Sequence, residues 1–391
     1  MSLQSLLQEG MTLPEILVDP TIADIVGHYL CGTCDCWRLK LPTICFAVWR
    51  ARYDDWSFSQ RALLQILQHN REEESARAVD SSTDPPPTQR TSTSLQGTLV
   101  GCPGDVRLLR HLATGAFGVV YLATAPTNDD ARVEHECGEI VVKVIETDFH
   151  EEWNARTRPG RPPYSVHHEY DMLQLFAHRL VVPALFVHST SNFTFLGLPY
   201  YSHKDLVTFL NNLQETNEFI DHFGTRDAVA LTYQAAVAVD FIHAHGFVHR
   251  DVKLENLLVK SWDGVSLQTV LLVLCDFGHA RAAPEPDTCT TLVGTAVYMA
   301  PEVWRAGRGV GGYGTAADLY SVGISLYILL AGETPWPETS DVEAHTVRDD
   351  APLQLIPPGG VRDVVSRLLS RGAQERGTSF QLWSELFDIL F

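Results

Sequence analysis

The stretch from His243 to Glu302 constrains this chain more than any other. It holds, in order, His249-Arg250-Asp251-Val252-Lys253-Leu254-Glu255-Asn256, then Asp276-Phe277-Gly278, then Ala300-Pro301-Glu302. Each motif alone is a weak signal, because three-residue matches arise by chance and an isolated Asp in a loop is usually a turn former. All three together, in this order and spacing, are hard to obtain without common ancestry. Val270–Leu274 is a short apolar run immediately before Asp276, and it reads as a buried strand that delivers the Asp to a cleft. Upstream, Asp227–His245 puts Val229, Leu231, Ala235, Val239 and Ile242 on one helical face that leads straight into His249.

These motifs resemble those of the eukaryotic-type protein kinases, and Lys253 resembles the Ser/Thr branch, because tyrosine kinases lack Lys at that place. The resemblance covers residues 105–391 and implies an α+β, bilobal kinase fold. In it a small antiparallel-sheet lobe (about 105–200) sits above a larger helical lobe (about 201–391), with ATP and Mg²⁺ in the cleft. Phosphoryl transfer asks a protein for positioning and charge neutralisation rather than for covalent chemistry. On that resemblance Asp251 is the catalytic base, a role worth roughly 10²–10⁴ in rate. Asn256 and Asp276 are the Mg²⁺ ligands, hard oxygens for a hard cation, and Lys253 stands beside the transferring phosphoryl group.

The same resemblance assigns the small lobe. Thr114-Gly115-Ala116-Phe117-Gly118-Val119-Val120-Tyr121 is similar to the glycine-rich hairpin over the nucleotide phosphates, with Val120 under the adenine. Ala113 replaces the first glycine of the pattern and loses the φ > 0 option. Ile140-Val141-Val142-Lys143 is the strand whose lysine binds the α/β-phosphates, and Val141 stands where alanine is usual, narrowing the adenine pocket. Glu169, in Glu169-x₃-Leu173, is the expected helix partner of Lys143, with Glu151 or Glu152 as rivals. The interval from Lys143 to Glu169 is longer than usual, and its excess falls in the Pro- and Gly-containing stretch Arg156–Pro163. Leu198 is the rear wall of the pocket, and Asp205 lies where an acid faces the ribose. Leu198-Pro199-Tyr200-Tyr201 with Asp205-Leu206 is similar to kinases of herpesviruses and other large DNA viruses.

Regulation and substrate choice follow from the same resemblance. An Arg beside the catalytic Asp, here Arg250, marks kinases whose activation segment must be phosphorylated, and Thr291 stands four residues before Thr295 at the usual site. Thr295 is expected to bond Lys253 and Asp251, and Asp318 to brace the loop around Asp251. Glu302 and Arg376 match an ion pair that ties the activation segment down. Cys275 lines the nucleotide site either as an alkylatable or as a buried, inert thiol. Glu255 sits where basic-directed kinases keep an acid.

Composition sets outer bounds. A net charge of −19 over 391 residues argues against nucleic-acid or anionic-membrane partners and suits basic protein substrates. Val322–Ala331 is far shorter than the ~20 apolar residues that span a bilayer. Residues 1–10 lack the features of a signal peptide, so reduced thiols and a cytoplasmic or nuclear location are expected, in a host cell if the protein is viral.

Residues 1–70 read as helical. Leu13-Pro14-Glu15-Ile16, Tyr29-Leu30 and Cys45-x₃-Trp49 faintly resemble an F-box, the docking module for a ubiquitin-ligase adaptor; a plain helical extension is the alternative. Cys31, Cys34 and Cys36 are zinc ligands or ordinary thiols, since their spacing is no standard paired knuckle. Residues 71–104, rich in Pro, Ser and Thr, read as a disordered linker. Beside the kinase reading stand a pseudokinase scaffold, which Ala113, Val141 and the long interval from Lys143 to Glu169 favour and Lys143, Asp251, Asn256 and Asp276 oppose, and an adaptor working through residues 1–70.

Overall fold

A computed structural model describes residues 95–390 except 96, 98, 101–105, 116–117, 125–137, 147–165, 216–222, 284–286 and 337–341. The expectations for residues 1–70, including Cys31, Cys34 and Cys36, and for Ala116, Phe117, Glu151 and Glu152 lie outside the described residues.

Alternation of apolar and polar residues builds the first layer. Strands β1 (Leu99–Val100), β2 (Val106–Gly115), β3 (Gly118–Thr124) and β4 (Glu139–Glu146) are followed by helix α1 (Val166–Leu175) and by β5 (Phe186–Ser189) and β6 (Phe193–Pro199). The six strands make one antiparallel sheet in the order β1-β2-β3-β4-β6-β5. Side chains of a strand point alternately to its two faces. Ile140, Val142 and Val144 of β4 therefore enter a core with Val106, Leu108, Tyr121 and Ala123, and Val141 and Lys143 face the other way. A one-residue slip would carry Lys143 into that core, so the register is fixed. Close backbone approach also selects Gly118, where a Cβ would lie 2.5 Å from the Val144 carbonyl oxygen.

The linker expectation needs correction at its C-terminal end. Leu99 pairs with Arg107 and Val100 with Val106, Val100 is 1% exposed, and Leu95 packs on the same core. Burying these few apolar side chains outweighs the polar composition around them, so the sheet begins before residue 105.

The rest of the described chain is mostly helical. It contains α2 (Leu206–Glu215), α3 (Thr225–Ala244), β7 (Phe247–Val248), β8 (Leu257–Ser261), β9 (Leu271–Leu274), β10 (Arg281–Ala282), α4 (Pro301–Gly307), α5 (Ala316–Ala331), α6 (Val342–Arg348), α7 (Gly360–Leu368) and α8 (Ser379–Leu390). Helices α3 and α5 are buried along nearly their whole length. The buried amide of Gln234 on α3 donates to the Val270 carbonyl at 2.8 Å and accepts from the Leu272 N–H at 2.9 Å, which satisfies a polar group in an apolar layer. Strands β8 and β9 form an antiparallel pair. The stretch between α1 and β5 is stitched to β9, because Leu274 N–H donates to Leu180 O at 2.8 Å and Val182 N–H to Leu274 O at 2.9 Å. No helix among the described residues is long and apolar enough to cross a membrane.

Candidate active site

Two groups of charged side chains face each other where the sheet meets the helical part. Lys143 leaves the outer face of β4, and its Nζ donates to Glu169 Oε2 of α1 at 2.8 Å. The same ammonium lies 3.5 Å from Asp276 Oδ1, contributed by the segment just after β9. Glu169 is buried, and the helix needed to place it exists where Glu169-x₃-Leu173 predicts. Asp276 adopts φ +61°, a left-handed conformation uncommon outside Gly, Asn and Asp. Burial alone would raise its carboxyl, but Lys143, then His279, His249 and Lys253, outweigh it and hold Asp276 below the usual carboxylate range.

The second group surrounds Asp251, in the loop after β7. Lys253 Nζ lies 2.9 Å from Asp251 Oδ2 and donates to Thr295 Oγ1 at 2.8 Å. Thr295 in turn donates to Asp251 Oδ1 at 2.9 Å, so the three side chains close a triangle. Asn256 Nδ2 donates to the Asp251 backbone carbonyl at 2.8 Å and to Oδ2 at 3.2 Å. Its amide nitrogen is thus turned toward Asp251, leaving the carbonyl oxygen directed away from it. Gly294 permits the approach of Thr295: its φ is +112°, and a Cβ there would meet the Arg250 carbonyl at 2.6 Å.

The backbone of this loop is held from beneath. Asp318, at the start of α5, accepts from the N–H groups of His249 and Arg250 at 2.8 Å each and from His243 Nε2 at 2.9 Å. Burial pushes its carboxyl up, but the His243 hydrogen bond and charge, with His249, pull it below the ordinary range. His249 packs edge-on against Phe277 with ring centroids 4.7 Å apart. Arg250, at φ +70°, donates through Nε to the His279 carbonyl at 2.6 Å and through Nη1 to Thr291 Oγ1 at 2.9 Å. Glu302 and Arg376 form a two-pronged buried pair at 2.6 and 2.9 Å.

The remaining sequence-derived positions group by register, since directly opposed residues of paired strands share a face. Val120 lies opposite Lys143 and Ala113, and Leu198 lies opposite Val141, so these side chains surround the face that carries Lys143. Gly115 and Gly118 pair at the tip of the β2–β3 hairpin. Asp205 is engaged as the cap of α2, where its carboxylate accepts the Thr208 N–H at 2.9 Å and the Thr208 hydroxyl at 2.7 Å. Cys275 is partly exposed, yet burial of its sulfur and then the carboxylates of Asp276 and Glu169 push its thiol well up, which favours the inert alternative.

Three participants escape sequence reasoning. Tyr313 donates to the Thr291 carbonyl at 2.7 Å and lies 3.4 Å from Arg250 Nη1. His243 reaches Asp318, and the Tyr298 hydroxyl donates to Glu255 Oε2 at 3.1 Å. The last contact, with burial, raises the Tyr298 phenol, burial being the larger cause. Each contact joins residues far apart in the chain, so no local pattern announces it.

Residues 106–387 match the family described as "Protein kinase domain". Among curated relatives, the chain is 30% identical over 233 residues, 60% of its length, to Serine/threonine-protein kinase dkf-1 of Caenorhabditis briggsae, covering 27% of that protein. It is 34% identical over 198 residues, 47% of its length, to CDPK-related kinase 5 of Arabidopsis thaliana, covering 31% of it. With Calcium-dependent protein kinase 15 of Oryza sativa it shares 29% identity over 321 residues, 76% of its length and 51% of the relative's. The chain therefore spans between about a quarter and half of the length of these relatives.

Proposed function

Because the chain belongs to the protein kinase domain family, we propose that it transfers the γ-phosphoryl group of ATP to Ser or Thr of protein substrates. The observation that carries this reading is the convergence of Lys143 on Glu169 at 2.8 Å and on Asp276 at 3.5 Å, from three separate elements, beside the Asp251 triangle. The donor set fits Mg²⁺. Among the described residues no group of three or more His, Cys, Asp or Glu could hold a metal by itself. Asp276 and Asn256 offer only two hard-oxygen ligands, as suits an ion that keeps waters and phosphate oxygens in its shell. Bound with ATP, the metal neutralises charge on the phosphates.

The protein's own part is positional. Lys143, steadied by Glu169, presents its ammonium to the α/β-phosphates. Asp251 accepts the proton of the incoming hydroxyl, and its two oxygens are already oriented by Thr295, Lys253 and Asn256. Lys253 lends positive charge to the moving phosphoryl group. Thr295 supports Ser/Thr acceptors through its bond to Lys253.

Activation by phosphorylation is part of the proposal. Arg250 Nη1 already touches the Thr291 hydroxyl at 2.9 Å, so a phosphate there would meet a guanidinium at once. Exposed Glu255, steadied by Tyr298, supports a preference for basic residues near the acceptor. A peptide array containing Ser, Thr and Tyr acceptors in basic and acidic settings tests this directly. Phosphate on Ser and Thr in basic settings is expected; labelling of Tyr alone, or of no peptide by protein carrying phospho-Thr291, would overturn it.

A further inference from the structure

The residue beside Glu169 makes a contact that phosphoryl transfer does not require. His168 Nε2 lies 2.9 Å from the backbone carbonyl oxygen of Ala280. A carbonyl oxygen only accepts, so Nε2 carries the hydrogen and the ring is the donor. Ala280 closes the turn Phe277–His279, its N–H donating to Phe277 O at 3.0 Å. The chain then enters β10, whose Arg281 and Ala282 pair with Val248 and Phe247 just before His249. One imidazole thus bridges the helix that carries Glu169 and the segment that begins at Asp276, the two carboxylates that share Lys143. Elsewhere this segment meets the end of α1 through rings, as between Phe176 and Phe277 at 5.5 Å. Such packing is non-directional and tolerates sliding; the His168 hydrogen bond is directional and fixes the helix against the turn.

We propose that His168 is a positioning residue, a latch whose bond to the Ala280 carbonyl sets Glu169 and Asp276 where both reach Lys143. Its effect on phosphoryl transfer rests on the kinase reading above; the latch itself does not.

The surroundings make the latch acid-sensitive. Burial disfavours a charged imidazole, and Arg281 of β10 and Arg250 of the loop after β7 add to that, against the Ala280 carbonyl and Asp171 of the same helix. The ring's ordinary range is thereby lowered. His279, in the turn itself, holds Arg250 close by accepting from its Nε at 2.6 Å. A proton on Nδ1 would add a cation beside two guanidinium groups in a half-buried place. A histidine whose charged form is disfavoured by folding contributes fully above about pH 6.5 and loses that contribution as pH falls.

Two variants of the full chain test the latch. His168→Gln keeps an N–H donor of similar reach, and His168→Leu removes it. With ATP and a Ser/Thr peptide, His168→Leu is expected to lower kcat/KM roughly 2- to 12-fold, the net worth of one hydrogen bond. The loss should fall on kcat and on the KM for ATP and leave the KM for peptide unchanged, and His168→Gln should restore most of it. Thermal unfolding from about pH 7.5 to 5.5 should lower the midpoint of the wild-type chain more than that of His168→Gln. That second measurement needs no catalysis. If the melting curves diverge this way while even the wild-type chain transfers no phosphate, the latch stands and the kinase reading falls. Parallel melting curves, together with a glutamine variant as impaired as the leucine one, would overturn the latch.

Discussion

Removing one charge from the pair under the activation segment gives a prediction whose size follows from the structure. Arg376 is fully buried, and its guanidinium meets both oxygens of Glu302 at 2.6 and 2.9 Å. It also donates to the Ser370 and Ala316 carbonyls at 2.9 Å each and lies over the Tyr320 ring at 4.9 Å. Glu302→Gln preserves the shape, withdraws the negative charge and turns an NH₂ toward a donor. A buried pair broken on one side costs about 3–5 kcal/mol, because the remaining ion has been taken out of water without its counter-charge. At about 2–4 °C per kcal/mol, the unfolding midpoint should drop about 6–20 °C. The charge-free pair Glu302→Leu with Arg376→Met should recover much of that loss, since replacing both ions by apolar groups is often neutral. Thermal unfolding followed by circular dichroism on the wild type, Glu302→Gln and the double variant measures it. A Glu302→Gln midpoint within about 1 °C of wild type, or a double variant no better than the single one, refutes the reasoning.

Gly294→Ala forces a side chain into φ +112° and against the Arg250 carbonyl, a strain of about 1–2 kcal/mol that displaces Thr295; turnover should fall roughly tenfold, and an unchanged kcat would contradict it. His243→Phe removes the main counterweight to the burial of Asp318, so the Asp318 carboxyl should titrate higher. With its folded value depressed, that carboxylate stabilises the fold above the ordinary carboxylate range and loses the effect as pH falls; the variant, with that depression relieved, should melt lower near neutral pH and lose less of its midpoint on acidification than the wild type, and an equal acid loss would contradict this. Asp205→Ala uncaps α2 and should cost about 1 kcal/mol, read by denaturant unfolding, and an unshifted midpoint would argue against the cap.

Much of the site is legible in the sequence for a physical reason. Asp251, Lys253 and Asn256 sit on one short loop, so their relative placement is encoded locally, and Val270–Leu274 announces the strand that delivers Asp276. Glu169 is harder, because its partner Lys143 lies across a long insertion and only the helical spacing to Leu173 marks it. The contacts of Tyr313 with Thr291, His243 with Asp318 and His168 with Ala280 leave no trace in local pattern. They depend on how α5, β10 and α1 pack, which no window of residues encodes. Strand β1 is hidden for a different reason: two residues of pairing and one buried valine lie in a Pro-, Ser- and Thr-rich stretch whose average composition reads as linker.

In the proposed reaction Asp251 takes the acceptor proton beside a nucleotide held by Lys143 and Asp276. Turnover of ATP-dependent Ser/Thr phosphorylation by Asp251→Asn, with nucleotide affinity measured in parallel, tests it most directly. Turnover should fall roughly 10²–10⁴-fold with ATP affinity changed little, since the substitution removes a base and leaves the phosphate contacts in place. Undiminished turnover in that variant would contradict the account.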